Sequence, residues 1–478
     1  MMSILFRISL FILIFTQQAH SLDQTVSDRI MLNPEEPTIN KWITCYPDCL
    51  SNANIFLELG NDKKPFIEIF DSKGHAYDDY LISSDHEGDD FEVIYTSHNP
   101  LGEISKIIFK SDKENRFLEL IIQSNDDVKI EIDLKNLLSE EDIYGLGGIY
   151  NGTWLVSLDE QGSENISSLR QVNTKQGSWV GARTRFWSFL ISPVKNNLLI
   201  DEIDGSESRL RLTSEAASGL HQFRLYFGPL NTAQLSELDP QLRQLMYSAL
   251  WDWLRQLCFL IEWIFILLIN LVGNEGIAIL LLACALKIMI FPLNRIAEKW
   301  QDDVNSIRSD LQPQIDEIKS MFSGEEANRR IMQLYQDRNI SPFYSVKSLF
   351  GFLIQIPIFI AVFDVLGESI YLLEKSFFFI DDLSKPDQWL SLPIVIPFLG
   401  SSFNLLPFCM MIISLLSAFL YHDRNLSSDL LSNQKRNLYF MSLLFFILLF
   451  TFPSGMVLYW TASNIMQLLQ MQIKKALQ

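Results

Sequence analysis

The stretch GNEGIAILLLACALKIMIFPL at residues 273–293 decides how the rest of the chain is organised. Its charged side chains are Glu275 near the start and Lys287 in the interior. A helix needs roughly 20 mainly apolar residues to cross a bilayer, and this stretch is that long. It therefore predicts a membrane-spanning helix that carries a lysine inside the membrane.

Other apolar stretches lie on both sides of this one. They run at about 257–272, 349–366, 405–421, 438–452 and 455–470. The segment at 294–344, between the 273–293 stretch and the stretch at 349–366, carries seven Lys or Arg residues. Because basic loops stay in the cytoplasm, this segment is expected inside the cell.

The N-terminal half has a different composition. Between residues 22 and 240 there are 37 acidic and 19 basic residues, so nearly all of the net charge of −19 lies there. Residues 1–21 combine Arg7, a short apolar run and small residues at Ala19 and Ser21, which is typical of a secretory signal peptide. The alternative is an uncleaved first membrane anchor. Either one places the acidic half outside the cytoplasm, and no basic patch predicts nucleic-acid binding.

Short alternating runs fill the acidic half. They are IFLEL at 55–59, FIEIF at 66–70, FEVIY at 91–95, FLELII at 117–122, VKIEIDL at 128–134 and FRLYF at 223–227. Period-two runs separated by turn residues predict an antiparallel β-sandwich. The sequence shows no catalytic constellation in this half. DHEGDD at 85–90 could hold a cation with its carboxylate oxygens, and a solvated acidic loop is the preferred interpretation. Cys45 and Cys49 would pair in an oxidising compartment, and two free thiols are the alternative.

The stretch at 257–272 is expected to lie on the membrane surface. If it and the next stretch both crossed, the basic segment would lie outside, against the charge rule. As a helix its 16 residues would reach only about 24 Å, against a hydrocarbon core of roughly 30 Å. Trp251, Trp253 and Trp263 favour the membrane interface. Residues 243–272 are therefore predicted to form an interfacial amphipathic helix.

These features predict a multidomain fold, an all-β periplasmic sandwich followed by an α-helical membrane bundle of five core transmembrane helices. The predicted parts are a signal peptide or anchor at 1–21, the sandwich at 22–242, the interfacial helix at 243–272, core helix 1 at 273–293, a cytoplasmic coiled-coil hairpin at 294–344, and core helices 2–5 at 345–478. The last part includes a periplasmic loop at 367–404 and a cytoplasmic loop at 422–437.

The hairpin is predicted from a heptad-like stripe that runs from Ile296 to Ile318. Pro313 should kink this first arm, and the spacing of Ser323 and Glu326 is that of a capping box that opens a second helix. Two functions remain open, a stiff structural hairpin and a mobile docking arm for a nascent chain or ribosome.

Lys287 has two interpretations. A lysine near the middle of a bilayer costs about 2.5–3.5 kcal/mol, so it either reaches the inner surface with its long stem or faces a polar pocket. Other polar residues stand inside the predicted helices, namely Gln355, Asp364, Tyr459, Thr461, Ser463 and Asn464. A hydrophilic pocket open to the cytoplasm would explain several of them together.

Five motifs carry a family resemblance. In chain order they are the 273–293 stretch, LQPQIDEIK at 311–319, FLIQIPIFIAVFDVL at 352–366, FFFIDDLSKPDQWLSLPI at 377–394 and FPSGMVLYWTASN at 452–464. In this order they resemble the YidC/Oxa1/Alb3 family of membrane protein insertases, and the last motif is the most specific. SWVGARTRFWSFLISP at 178–193 and LYFGP at 225–229 resemble, more loosely, the periplasmic domain of Gram-negative members.

The resemblance implies an insertase and chaperone of the bacterial inner membrane, with its large N-terminal domain in the periplasm. It implies a positively charged groove, open to the cytoplasm and the lipid, that takes nascent membrane segments and releases them into the bilayer without nucleotide hydrolysis. Such a protein is not an enzyme and needs no cofactor. Its implied partners are nascent membrane proteins and the lipid bilayer, with a Sec translocon and the ribosome as further candidates.

The resemblance also assigns residues to the groove. Lys287 stands where the family has an arginine, so the charge is kept and the bidentate fork is lost, and Ala283 replaces a usual polar residue. Gln355 matches a groove-lining position, and Tyr459 and Trp460 match positions that contact the substrate. Ser463 and Asn464 complete the predicted groove. The residues expected to shape the helices and their turns are Pro292, Pro313, Pro357, Pro453 and Gly455.

The chain departs from the family pattern at several places. Residues 341–353 lack the usual glycine pair and proline, the outer loop is extended around PFLGSSFNLLP at 397–407, and no long basic tail is expected after Lys474. Ribosome docking and the range of clients are therefore left open. Two other functions remain as alternatives, a small-solute transporter or channel with a regulatory periplasmic domain, and an exported sugar-active enzyme tethered by helices.

Overall fold

The structure of the protein is a computed structural model. It describes residues 25–27, 30–33, 35–47, 55–61, 64–75, 80–87, 90–97, 104–112, 117–138, 145–159, 162–165, 172–195, 197–204, 209–215, 219–341, 344, 346, 349–423 and 426–477. The predicted signal peptide or anchor at 1–21 lies outside these residues, and so does Cys49. Cys45 is disulfide-bonded, and its pairing with Cys49 stays a prediction.

The chain divides into two compact units. The first comprises the residues up to 141 together with 151–248, and the second comprises 142–150 and 249–478. The strands of the first unit are β1 (Thr25–Ser27), β2 (Ile30–Leu32), β3 (Ile39–Tyr46), β4 (Ile55–Gly60), β5 (Ile67–Phe70), β6 (Tyr80–Glu87), β7 (Asp90–Ser97), β8 (Ile104–Asp112), β9 (Phe117–Ser124), β10 (Val128–Asp133), β11 (Trp154–Asp159), β12 (Gly162–Asn165), β13 (Val172–Thr174), β14 (Trp179–Arg183), β15 (Trp187–Pro193), β16 (Leu198–Asp204), β17 (Arg209–Ser214) and β18 (Leu220–Pro229). Helix α1 (Thr232–Leu238) and a 3-10 helix at Pro240–Leu245 follow them.

The described strands of the first unit form two antiparallel sheets. One sheet has the order β1-β2-β3-β5-β10-β17-β16-β13, with β4 paired to β3, and the other has the order β12-β11-β14-β15-β18-β9-β8-β7-β6. Aromatic rings join the two sheets. The ring of Trp42 on β3 lies 5.8 Å from that of Phe227 on β18, and the ring of Phe66 lies 5.1 Å from that of Phe189 on β15. The predicted β-sandwich is confirmed.

Strand β10 shows why these residues form strands. Val128, Ile130 and Ile132 are completely buried, whereas the charged residues between them are only partly buried. Successive side chains of a strand point to opposite faces, so the period of two separates a core face from a polar face. The other alternating runs singled out in the sequence form β4, β5, β7, β9 and β18 in the same way.

The second unit is mainly helical. Its helices are α2 (Asp252–Val272), α3 (Glu275–Met321), α4 (Gly324–Asp337), α5 (Leu349–Glu368), α6 (Leu405–Leu420), α7 (Ser428–Leu449) and α8 (Ser454–Leu477). It also contains a hairpin of β19 (Leu390–Ile396) and β20 (Gly400–Phe403). Among the described residues, α2 and α3 are long and apolar enough to cross a membrane by length and composition, and α6 is a shorter apolar helix.

Helix α2 differs from the predicted interfacial helix. It begins at Asp252 rather than at residue 243, because Tyr247 has a φ of 54° and Trp251 is extended. A left-handed tyrosine cannot continue a right-handed helix. The helix has 21 residues and so a length of about 31 Å, which removes the argument that it is too short to span. Its placement on the membrane surface stays a proposal that rests on the charge rule and on exposed Trp253 and Trp263.

The predicted first core helix and the first arm of the hairpin form one continuous helix. Helix α3 runs for 47 residues and contains both Pro292 and Pro313. Along the predicted stripe Val304, Leu311 and Ile315 are buried, whereas Ile296 is half exposed. The chain turns at Phe322-Ser323-Gly324 into α4, and Gly324 has a φ of 64° that suits glycine.

The predicted capping box does not form. Ser323 is the N-cap of α4, but its side chain makes no capping hydrogen bond. Glu326 pairs instead with two arginines of its own helix, and Arg330 Nε lies 3.0 Å from a Glu326 oxygen. Hydrogen bonds from Arg330 and Arg329 lower the pKa of Glu326 below its usual range. The Glu326 carboxylate thus accepts hydrogen bonds from two arginines one turn away, and not from the backbone N–H of Ser323 as a capping box would require.

Two predicted loops contain regular structure. The outer loop at 367–404 holds the β19–β20 hairpin and a 3-10 helix at Ile370–Leu372. The inner loop at 422–437 is helical from Ser428 onwards, because α7 begins there. Hydropathy located the apolar part of α7 but not its polar first turns, since a helix can continue beyond its apolar segment.

Candidate functional site

Helices α3, α5 and α8 enclose a small cavity in the second unit. It is lined by Leu286, Lys287, Ile290, Asn294, Gln355, Ile358, Phe359, Tyr459, Trp460 and Ser463. Its volume is about 40 Å³. A cavity needs a volume of at least about 10–15 Å³ to hold one water molecule, so this cavity can hold on the order of three waters beside its polar groups.

The cavity brings together five of the six predicted groove residues. Lys287 comes from α3, Gln355 from α5, and Tyr459, Trp460 and Ser463 from α8. Each helix contributes residues three or four positions apart, which lie on one face of a helix. A lysine, an amide and two hydroxyl groups thus surround one space in an otherwise apolar bundle.

The sequence analysis missed the other lining residues. Ile290 and Asn294 follow Lys287 at helical spacing, and Ile358 and Phe359 follow Gln355 in the same way. The signal was present, because a groove residue on a helix implies neighbours at three, four and seven positions along the same face. The apolar residues were not predicted because they do not contrast with their apolar helices, and Asn294 was not predicted because it lies just past the end of the predicted span at 273–293.

Lys287 supplies the charge of the site. It stands 12 residues after Glu275 in α3, about 18 Å along the helix axis. Its side chain lines the cavity and is half-buried. Within the part of the chain that the structure describes, no carboxylate lies within ion-pair distance of it. The cavity therefore presents a positive charge that these residues leave unneutralised.

Trp460 is fixed by three phenylalanine rings. The ring of Phe359 lies 4.9 Å from it, edge to face, that of Phe445 lies 4.8 Å away, and that of Phe363 lies 6.2 Å away. Aromatic pairs at these separations add packing energy beyond area burial. They hold a flat apolar wall next to Lys287, so the site offers polar and apolar surface side by side.

Asn464 points away from the cavity. Its Nδ2 donates to Ser414 Oγ on α6 at 2.8 Å, whereas its neighbour Ser463 lines the cavity. Asn464 lies about 100° further around the helix axis than Ser463, and its hydrogen bond directs it toward α6. Thr461 is likewise occupied elsewhere, because its hydroxyl donates to Val457 O at 2.7 Å. Asp364 is not among the lining residues either.

The turn before α8 fixes where Tyr459 and Trp460 stand. Ser454 N and Oγ both donate to Lys385 O, at 2.8 and 2.6 Å, and Gly455 N donates to Leu383 O at 2.8 Å. A Cβ on Gly455 would lie 3.0 Å from Leu372 Cδ1 and 3.1 Å from Leu383 O, so only glycine fits there without a shift. The outer loop thereby anchors the start of the helix, immediately after Pro453.

The predicted prolines lie inside helices. Pro292 and Pro313 are within α3, and Pro357 is within α5, two residues after Gln355. A proline inside a helix removes one backbone hydrogen bond and frees a carbonyl. Pro292 lies five residues after Lys287 and Pro357 two residues after Gln355, so these two interruptions fall close to residues that line the cavity, whereas Pro313 lies further along α3.

Comparison with known proteins bears on the helical unit. The family profile described as 60Kd inner membrane protein matches residues 267–478. The membrane protein insertase YidC of Francisella philomiragia is 30% identical over 253 residues, which are 52% of this chain and 40% of that protein. The YidC of Francisella tularensis subsp. novicida is 30% identical over 252 residues, with the same coverage.

Residues 267–478 are similar to the YidC/Oxa1 family. The matched stretch spans 40% of the length of these curated YidC relatives. Among solved structures, a crystal structure described as an active YidC insertase with the first transmembrane domain resolved is 18% identical, covers 92% of this chain and 89% of that chain, and has a TM-score of 0.37. The YidC of Thermotoga maritima is 13% identical, covers 92% and 94% of the two chains, and has a TM-score of 0.31.

The structure shows where two departures from the family pattern lie in the helical unit. Lys287 lines the cavity in the position expected for the family's arginine. Ala283, one turn earlier, is buried and does not line it. The charge of the cavity lining is therefore that of Lys287.

Proposed function

We propose that the chain is a membrane protein insertase and chaperone that receives nascent membrane segments at the cavity around Lys287. The observation that carries the proposal is the placement of an unneutralised lysine, an amide and hydroxyl groups around one space inside an apolar bundle. The names of the similar proteins support the same activity. The groove residues are Lys287, Gln355, Tyr459, Trp460 and Ser463.

The proposed topology has five core spans. These are the apolar first part of α3, followed by α5, α6, α7 and α8, with α2 on the outer surface. The charged second part of α3 and α4 then form the cytoplasmic hairpin, and the β-sandwich lies in the periplasm of a bacterial inner membrane. The basic residues of 294–344 support this orientation.

The charge of Lys287 would lower the cost of bringing an acidic client residue into the membrane. An aspartate at the centre of a membrane helix costs about 2.5–3.5 kcal/mol. Two unit charges 4 Å apart attract each other by about 4 kcal/mol at an effective dielectric constant of 20. The two magnitudes are comparable, so one lysine can offset the transfer cost of one acidic group.

The aromatic wall would take the apolar part of the same client segment. Trp460 and Phe359 offer apolar surface beside the charge, and the segment then moves into lipid because burial of apolar surface is favourable. No nucleotide is needed for this step. The proposed partners are nascent membrane proteins and lipid, and a Sec translocon and the ribosome are further candidates.

The test is complementation in a bacterial strain depleted of its own YidC. Wild type and Lys287→Arg are expected to restore insertion of a small single-span client, measured by protease protection, because both keep the charge. Lys287→Ala should reduce insertion about tenfold, the equivalent of about 1.4 kcal/mol. Lys299→Ala is the matched control, because Lys299 is an exposed cation of α3 that does not line the cavity.

Equal insertion by all variants would show that Lys287 only reaches the membrane surface. If the wild-type protein is correctly placed in the membrane and still fails to restore client insertion, it lacks the proposed activity in that host.

A further inference from the structure

The β19–β20 hairpin of the outer loop exposes an unusual set of large apolar side chains. Their exposed fractions are 56% for Trp389, 55% for Leu390, 65% for Ile394, 57% for Val395 and 78% for Phe398. Residues 388–421 contain no Asp, Glu, Lys or Arg. Large exposed apolar patches mark surfaces that contact another protein, a ligand or a membrane.

The tip of the hairpin places an aromatic ring where the backbone disfavours it. Phe398 has a φ of 68°, a conformation that suits glycine or asparagine in a hairpin turn. The backbone of the tip is held tightly, because a Cβ added to Gly145 would lie 2.4 Å from Phe398 O. A bulky apolar residue thus stands at the most exposed point of a fixed turn, where polar residues are the norm.

We infer that this hairpin is a wedge that lies in the outer interface of the lipid bilayer. The occupant of its apolar surface is lipid, because the surface continues into α6, which begins at Leu405 directly after Asn404. Helix α6 is apolar and exposes Ile412, Leu416 and Phe419. The hairpin therefore stands at the level where the chain enters the membrane.

The structure of the hairpin determines how deeply it can lie in the bilayer. Both faces of β19 are exposed, so a protein that covered one face would leave the other in water, whereas the interface of a bilayer contacts both. A two-stranded hairpin also has outer edges with unpaired backbone groups, which do not occur in the hydrocarbon core. The wedge therefore lies among the headgroups and the first acyl carbons, where tryptophan such as Trp389 is favoured.

This inference rests on the proposed membrane embedding of the helices and does not depend on insertase activity. The test uses the full chain in lipid nanodiscs, with a fluorescent amino acid introduced by amber suppression at one position at a time. The positions are Val395 in the wedge, Ile412 on α6 and Phe56, which is 66% exposed on β4 of the sandwich. Lipids brominated either near the headgroup or deep in the acyl chain serve as quenchers.

At Val395 the shallow quencher is expected to act about twofold more strongly than the deep one, as for a group buried roughly 5–10 Å into the interface. At Ile412 the deep quencher should act at least as strongly, and at Phe56 neither should act. A Val395 reporter that behaves like Phe56, while Ile412 is quenched, would overturn the wedge alone. Quenching at Val395 with the depth profile of Ile412 would overturn its interfacial position, and no quenching at Ile412 would overturn the membrane embedding as well.

Discussion

His221 is an ionisable residue of the sandwich whose pKa is changed by its burial. Its side chain is completely buried, and its Nδ1 lies 2.8 Å from Ser214 Oγ. Burial lowers the pKa of His221, and backbone groups of Asp126 and Ser124 and the charge of Asp127 only partly oppose it. The folded sandwich thus prefers the neutral imidazole, whereas the unfolded chain takes up a proton near pH 6.5.

This difference predicts a loss of stability on the acid side. Since the folded pKa lies below the unfolded value, the unfolded state binds the proton first, and the stability contributed by neutral His221 is lost as the pH falls below about 6.5. Amide exchange in β17 and β18 of the full chain, corrected for intrinsic rates, should therefore accelerate between about pH 7 and pH 5. His221→Gln should flatten this dependence, and an unchanged profile in that variant would assign it to other groups.

Asn404 joins three parts of one end of the helical unit. It is buried, its Nδ2 donates to Phe450 O at 2.6 Å, and its Oδ1 accepts from Gln388 N at 3.0 Å. Asp387 supports the same corner by accepting from Leu406 N at 2.7 Å. One amide side chain thus ties the end of α7 to the outer loop.

Asn404→Ala is expected to loosen this corner. The change leaves two backbone groups without their partner, at a cost of about 1–3 kcal/mol. Amide exchange at residues 388 and 404–406 should rise by roughly five- to a hundredfold, since about 1.4 kcal/mol corresponds to a factor of ten. Ser402→Ala, in the neighbouring strand, is the control and should change exchange little. Equal effects of both substitutions would refute the role of the amide.

Individual cavity residues could be predicted from the sequence where a polar residue stands among apolar ones. A lysine and a glutamine in apolar helices stand out, and the structure brings Lys287 and Gln355 to one cavity. Asn464 was placed in the same groove and instead bonds to Ser414, because side-chain direction depends on helix rotation that spacing alone left open. Asn404 could not have been predicted, since its partners lie 16 and 46 residues away.

At the scale of elements, the 3-10 helix at Gly145–Asn151 packs with the helical unit, which the sequence did not predict. Residues 142–150 belong to the helical unit, although strands of the sandwich precede and follow them. Gly147 N donates to buried Thr451 Oγ1 at 3.1 Å, and the ring of Tyr150 lies 5.8 Å from that of Phe452. This short element therefore packs on the turn that leads into α8.

Gly147→Ala should detach the element from that turn. A Cβ at this position would lie 1.8 Å from Thr451 O, so the backbone must move and the hydrogen bond must break. Thr451→Val, which keeps the shape and removes the acceptor, should act in the same direction at a cost of about 1–3 kcal/mol. Thr451→Ser keeps the hydroxyl and is the control.

Amide exchange of residues 145–151 in the full chain measures this effect. Faster exchange in Gly147→Ala and Thr451→Val, but not in Thr451→Ser, is the expected result. If exchange stayed at the wild-type rate in Gly147→Ala, the contact would have no energetic weight.

Elements with a clear period were predicted well, and those without one were missed. The alternating runs became strands because each strand has a core face, and the apolar stretches became helices. The β19–β20 hairpin escaped prediction because its residues are apolar on both faces and so show no alternation. The start of α2 was misplaced because a single left-handed residue, Tyr247, ends the preceding turn.

At the scale of the whole molecule, an acidic β-sandwich and an apolar helical unit share one chain. The net charge of −19 is concentrated in the residues of the sandwich, whereas the helical unit holds a cavity whose charge is that of Lys287. The proposed insertase depends on the second feature. The central claim of the proposed function is that this single positive charge attracts an acidic client segment into the cavity.

A charge-exchange experiment tests this claim most directly. Lys287→Glu is combined with a single-span client whose short exported flank carries either one aspartate or, in its place, one lysine, and insertion is measured by protease protection. Wild type should insert the aspartate client better, and Lys287→Glu should reverse this preference, because the attraction follows the product of the two charges. Lys299→Glu should leave the wild-type preference in place. If Lys287→Glu lowered the insertion of both clients equally, the charge of the cavity would not select the segment. That result would contradict the proposed role of Lys287.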